Sequence, residues 1–213
     1  LTINAPTAIL ELADPNGGSV SAVGAMTLSA KAITQSVASN IALSADTLAA
    51  TATGTSTGGI ALTDPAGGGA PRNTVSSASF LVAPGKGVFF YGSSDLALGP
   101  VYAGLDVEQN PIAAGNVDIQ VSGAHQLTLS ADGQGFGGIF SSGEVNLFAG
   151  NGIYYDAGNG ITASSLIFAS DTGGIGNVEL PIPITAYGSG PIALTVTTNG
   201  GDANIFSNSA VTI

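Results

Sequence analysis

The chain has 213 residues, with three basic side chains against fourteen acidic ones, a formal charge of -11, one histidine and neither cysteine nor tryptophan. Glycine and alanine contribute 32 residues each, and only 8% of the residues are charged. Lys31, Arg72 and Lys86 cannot build the cationic face that neutralises phosphates, so a nucleic-acid partner is excluded, and so are a disulfide scaffold, a thiolate metal site and a cysteine nucleophile. The apolar fraction of 44% and the positive mean hydropathy of +0.41 are too high for a disordered acidic chain and predict a folded one.

Taken in chain order, the local signal is an alternation of apolar and polar residues, the period of a strand. It appears at Met26-Thr27-Leu28-Ser29-Ala30, Ile41-Ala42-Leu43-Ser44-Ala45, Val117-Asp118-Ile119-Gln120-Val121, Leu127-Thr128-Leu129-Ser130-Ala131, Val145-Asn146-Leu147, Ile192-Ala193-Leu194-Thr195-Val196 and Ala203-Asn204-Ile205-Phe206. Each predicts a strand of about five residues. Between them stand corner residues: Pro15-Asn16-Gly17-Gly18, Gly67-Gly68-Gly69, Gly137-Gly138, Gly150-Asn151-Gly152, Gly158-Asn159-Gly160, Gly173-Gly174 and Asn199-Gly200-Gly201. No window sustains a helical apolar face, and the longest apolar runs, such as Val88-Phe89-Phe90-Tyr91, fall far short of the roughly 20 residues of a membrane helix. The chain reads as all-β, with no membrane insertion. It starts at Leu1 without the basic and apolar segments of a leader and stops inside the alternation Ala210-Val211-Thr212-Ile213, so both ends read as cut from something longer.

A longer period overlies the alternation. Thr27-Leu28-Ser29-Ala30 returns as Ala42-Leu43-Ser44-Ala45 and as Thr128-Leu129-Ser130-Ala131, and units made of a Gly or Asn corner plus a short strand restart near Gly115, Gly143, Gly160, Gly190 and Gly201. Irregular repetition on this scale predicts a solenoid, in which no coil can bury its apolar face alone. Residues 1–213 then form one parallel β-helix. At roughly 20 residues per coil it would hold about ten coils and reach about 50 Å. Stacked coils place like side chains in register about 4.8 Å apart, which disfavours charges and favours small apolar, hydroxyl and amide side chains. The stretches 63–79 and 91–110, rich in Pro, Gly, Asp and Tyr, are expected to leave the coil as loop excursions.

The segment Gly24-Ala25-Met26-Thr27-Leu28-Ser29-Ala30-Lys31-Ala32-Ile33-Thr34-Gln35-Ser36, and the stretch from Gly174-Ile175-Gly176-Asn177 through Pro183-Ile184 to Leu194-Thr195-Val196-Thr197-Thr198-Asn199-Gly200-Gly201-Asp202-Ala203-Asn204-Ile205, resemble the degenerate repeats of filamentous-haemagglutinin-type bacterial exoproteins. The resemblance is to a repeat style, strongest over 20–62 and 115–213. It implies a single-stranded right-handed parallel β-helix, secreted or held at the bacterial cell surface, that serves as an adhesin, matrix component or stalk. The secretion domain of that family is not recognisable here, so export is an inference for a parent chain only.

Few residues offer chemistry. His125 is expected to be a surface or corner residue, since the sequence assigns it no acid partner for a triad. Asp106 and Glu108 stand two apart and would share a strand face, where a cation or a carboxylate pair could act, against the simpler reading of a solvated acidic loop. The calcium-binding nonapeptide is absent: Gly137-Gly138-Ile139-Phe140 and Gly173-Gly174-Ile175-Gly176-Asn177 lack an Asp in phase. No cofactor is called for, and calcium binding would be incidental. The Gly133-Gln134-Gly135-Phe136-Gly137-Gly138 run lacks the helix a nucleotide site needs, and Thr51-Ala52-Thr53-Gly54-Thr55-Ser56-Thr57 is a single threonine run rather than an ice-binding array. The aromatic cluster Phe89, Phe90, Tyr91 and Tyr102 is the best candidate for a partner contact, either with glycan or with a neighbouring chain. The expected function is therefore non-enzymatic: a structural or adhesive segment that self-associates into filaments and meets a glycan or a host or cell surface. A surface-layer or matrix protein with cation-assisted lattice contacts is the alternative, and a β-helical polysaccharide-active enzyme the third reading.

Overall fold

The computed structural model describes residues 1–13, 18–36, 41–56, 58–63, 73–104, 106–108, 110–131, 138–158 and 160–213. Its strands pair in parallel, the interior ones such as Val117–Val121 with a strand one coil before and a strand one coil after, and they wind into a β-solenoid of about seven turns. Among the described residues there is no helix, and so none long and apolar enough to cross a membrane.

Three columns of inward side chains fill the bore. One climbs through Leu10, Ile33, Ile60, Val88, Val117, Val145, Leu166 and Leu194. A second climbs through Ile3, Leu28, Ala50, Phe80, Val101, Ile139, Ile161 and Ile184. The third is shorter, running through Met26, Leu48, Ala78, Leu98, Leu129 and Tyr155. The alternation read from the sequence decides which residues enter: in Val117–Val121, Val117, Ile119 and Val121 are buried and Asp118 and Gln120 face out. A one-residue slip would expose the whole apolar set, so burial fixes the register.

The coil is longer than expected. Asp118 and Asn146 meet across 28 residues, and Glu144 and Ser165 across 21. A chain of fixed length therefore makes about seven turns rather than ten, or roughly 35 Å of rise at about 4.8 Å per turn. The first coils also use longer strands than expected, Ala25–Gln35 and Ile41–Ala52, of 11 and 12 residues, which bend from one face to the next without a glycine corner. In later coils the faces separate into short strands such as Leu127–Leu129 and Ile161–Ala163. There the corners stack tightly: a Cβ on Gly150 would overlap the carbonyl oxygen of Gly123 in the coil below. The glycine content follows from such contacts.

Both expected excursions are narrower than their sequence composition suggests. Thr74–Val82 is a coil strand, so the first ends by Asn73; residues 64–72, Arg72 among them, lie outside the described residues. Val88–Gly92 and Leu96–Tyr102 are coil strands as well. Pro100 is accommodated by a bulge, where the pairs Ala78↔Leu98 and Phe80↔Val101 leave Ser79 opposite two residues. Within 91–110 the chain leaves the coil after Tyr102, in a finger whose base is closed by hydrogen bonds from Ala103 N to Ile112 O (2.7 Å) and from Ile112 N to Gly104 O (2.8 Å), and it is back in the coil by Ala114, which bridges Ser141 in parallel.

The bore is not wholly apolar. Asn73 is fully buried and joins three levels: its Oδ1 accepts from Leu43 N (2.9 Å) and Gln35 Nε2 (2.8 Å), and its Nδ2 donates to Gln35 Oε1, Leu62 O and Tyr91 O (each 3.0 Å). Gln35 Nε2 also donates to Ile41 O (2.7 Å). No buried side-chain polar atom of the described residues lacks a partner.

Candidate binding face

The outer side of the Val88 column holds the densest group of interacting side chains. In Val88–Gly92 the pleat turns Val88 and Phe90 inward and Phe89 and Tyr91 outward. One coil up, Asp118 lies in register with Phe89 and Gln120 with Tyr91; in the next coil, Asn146 lies over Asp118 and Phe148 over Gln120. Six outward side chains from three coils thus form a grid of two columns and three rows.

Asp118 is the hub of that grid. The Tyr91 hydroxyl donates to its Oδ2 (2.9 Å), Asn146 Nδ2 donates to Oδ1 (3.1 Å), and Gln120 Nε2 reaches both oxygens (3.1 and 3.3 Å). Burial, with the carboxylate beside it, pushes the Tyr91 phenol up to about 12, because both favour the protonated form. Below Asp118 the Phe89 ring folds back over Gly87, where a Cβ would stand 2.7 Å from the ring, and it remains 37% exposed. The grid therefore has a fixed polar centre with exposed aromatic surface at its edge.

The four aromatic residues expected to act together are distributed differently. Phe89 and Tyr91 share this face. Phe90 is 1% exposed and packs against Phe80 with ring centroids 5.7 Å apart, as core. Tyr102 belongs to another face, where it is paired with Leu81 and lines a shallow depression with Thr51, Ser79 and Pro100. Sequence proximity brought the four together; the pleat and the turn of the coil separate them. Asp118, Gln120 and Asn146 carry no site signal in the sequence because each is an ordinary outward residue of an alternating strand. Only the coil length, which alternation does not encode, stacks them.

The remaining candidates resolve into local roles. Asp106 and Glu108 are not on a strand: Asp106 Oδ1 accepts from Glu108 N (2.9 Å) and Asn110 N (2.8 Å), and Oδ2 accepts from Asn110 Nδ2 (3.3 Å). These bonds, the one from Asn110 N foremost, hold the Asp106 carboxyl below its ordinary range and make it the brace of the finger's tip. His125 does have an acid neighbour that the sequence could not assign, since Asp95 Oδ1 lies 3.1 Å from its Nδ1 and accepts from Gln126 N (3.0 Å). Both side chains are exposed at a corner, and among the described residues no hydroxyl bonds to the ring. The string Gly54-Thr55-Ser56-Thr57-Gly58 has the spacing of a nucleophile elbow; Thr57 lies outside the described residues, and among the described residues no helix follows the strand Ile41–Ala52, as such an elbow requires. Among the described residues, no three His, Asp or Glu side chains gather as metal ligands.

No known protein family, curated protein or solved structure matches the chain.

Proposed function

We propose that this chain is a structural or adhesive segment of a secreted bacterial surface fibre or exoprotein, with a mechanical rather than a catalytic role. The observation that carries the reading is the continuous stacking: Val88–Gly92, Val117–Val121, Glu144–Ala149 and Ser165–Ser170 each pair in parallel with a coil on either side, so that inward columns and backbone ladders run from coil to coil. Apolar burial in such a stack lies between coils, and the architecture extends by adding further coils of the same kind. Continuous backbone ladders through about seven turns give such a stack axial stiffness. The resemblance of its repeats to haemagglutinin-type exoproteins agrees with this use and with an extracellular or cell-surface location.

Electron microscopy and sedimentation of the purified chain test the reading. Concentration-dependent rods one solenoid wide are expected. Monodisperse monomers at high concentration would count against assembly. Sheets that dissolve with a chelator would favour a cation-assisted lattice instead.

A further inference from the structure

We propose that the outer grid formed by Phe89, Tyr91, Asp118, Gln120, Asn146 and Phe148 is a binding face for a neutral polysaccharide. The proposal deepens the adhesive part of the reading above and does not depend on filament formation.

The hydrogen bonding of the grid sets the ligand chemistry. Tyr91, Gln120 and Asn146 each turn a donor onto Asp118. Their remaining capacity is mostly that of acceptors: the amide oxygens of Gln120 and Asn146 and the phenolic oxygen of Tyr91, none of which accepts a bond from the described residues. A ligand for this surface must bring many donors of its own, arranged along a line, and a chain of sugar hydroxyls does so. The spacing also suits an extended ligand, since rows about 4.8 Å apart and columns about 6.8 Å apart repeat on the scale of a sugar ring. Phe89, seated over Gly87, presents an apolar ring for the C–H face of a sugar.

Charge selects among glycans. The six side chains include one carboxylate and no cation, Glu144 lies exposed on the strand that carries Asn146, and the whole chain carries -11. Acidic polysaccharides are repelled, so the ligand is neutral. Rigidity favours binding as well, because all six residues sit on strands paired on both sides and the polar centre is already bonded in the free protein, which limits the entropy lost on association.

Calorimetry or NMR titration of the full chain with cellohexaose, laminarihexaose, maltohexaose and chitohexaose, with oligogalacturonate as the acidic control, tests the proposal. At least one neutral oligosaccharide should bind, with shifts confined to 87–92, 116–121 and 144–149. Phe89→Ala and Asn146→Ala should each weaken it roughly tenfold, while Tyr102→Ala, on another face, should leave it unchanged. If a variant unfolds, Phe89→Leu supplies the same readout, because it keeps an apolar side chain at this exposed position and removes the ring face. No neutral oligosaccharide bound at millimolar concentration, equal binding by Phe89→Ala, or preference for oligogalacturonate would each overturn the site. Rods that persist without glycan binding would overturn this site alone, and rods abolished by Phe89→Ala would make the grid a protein contact and overturn it too.

Discussion

The middle coils and the end coils are built from the same alternation but bury it to different depths. In Val117–Val121 all three inward residues are essentially inaccessible, whereas in the last coil Val211, in register with the buried Ile192, is 37% exposed. The end residues have the right chemistry and the right register and lack only a neighbour above. Apolar burial in this molecule therefore belongs to the interface between coils rather than to the coil itself. The same holds for polar groups: Asn73 is satisfied by four other residues drawn from neighbouring levels, while the end coils leave backbone edges to solvent.

Four substitutions break or sharpen that contrast. The largest effect is expected at the centre, where Ile119→Ala empties a fully enclosed position and should lower unfolding free energy by about 4 kcal/mol, read as a fall in the urea midpoint. Asn73→Ala should follow at about 3 kcal/mol, since it strands the amide of Gln35 and the backbone groups of Leu43, Leu62 and Tyr91 together; hydrogen exchange should quicken first at Leu43.

Tyr91→Phe probes the outer surface of the same coils. At neutral pH it should cost no more than about 1 kcal/mol, because the bond to Asp118 is half in solvent. Its signature lies in alkali. The unfolded phenol ionises near 10.0 and the folded one near 12, so the wild-type stabilisation is complete below pH 10 and is lost as pH rises through 12. The Phe variant should lack that component of the alkaline loss. Val211→Ala at the end coil should change stability by less than about 0.5 kcal/mol in dilute solution. The same variant should weaken self-association at high concentration, because its cost appears only once a further coil covers it.

Much of the fold is legible in the sequence and much of the candidate face is not, for a common reason. Strand alternation and glycine corners are local, so Val117–Val121, Leu127–Leu129 and the corner at Gly150-Asn151-Gly152 could be read directly. Coil length is not local. It depends on how far each excursion runs before the chain rejoins its column, and the finger between Tyr102 and Ala114 shows how much that can vary. Misjudging it turns seven coils into ten and hides the meeting of Tyr91, Asp118 and Asn146. The expected strand pair Asp106 and Glu108 failed for a related reason: their i, i+2 spacing also suits a turn in which one carboxylate caps the backbone N–H groups that follow it.

By itself the sequence determined that this protein is an all-β stack of coils, poor in charge, with small side chains at its corners. The alternation, the glycines and the scarcity of charge are each consequences of repeating one strand above another. Only the tertiary structure decided which residues meet. Side chains 27 or 28 positions apart become neighbours when the register places them there, so Phe90 went to the core, Tyr102 to another face, and Asp118 to the centre of a grid. Parallel stacking explains the division: local pattern tells a side chain whether it points in or out, and the length of the coil tells it whom it will face.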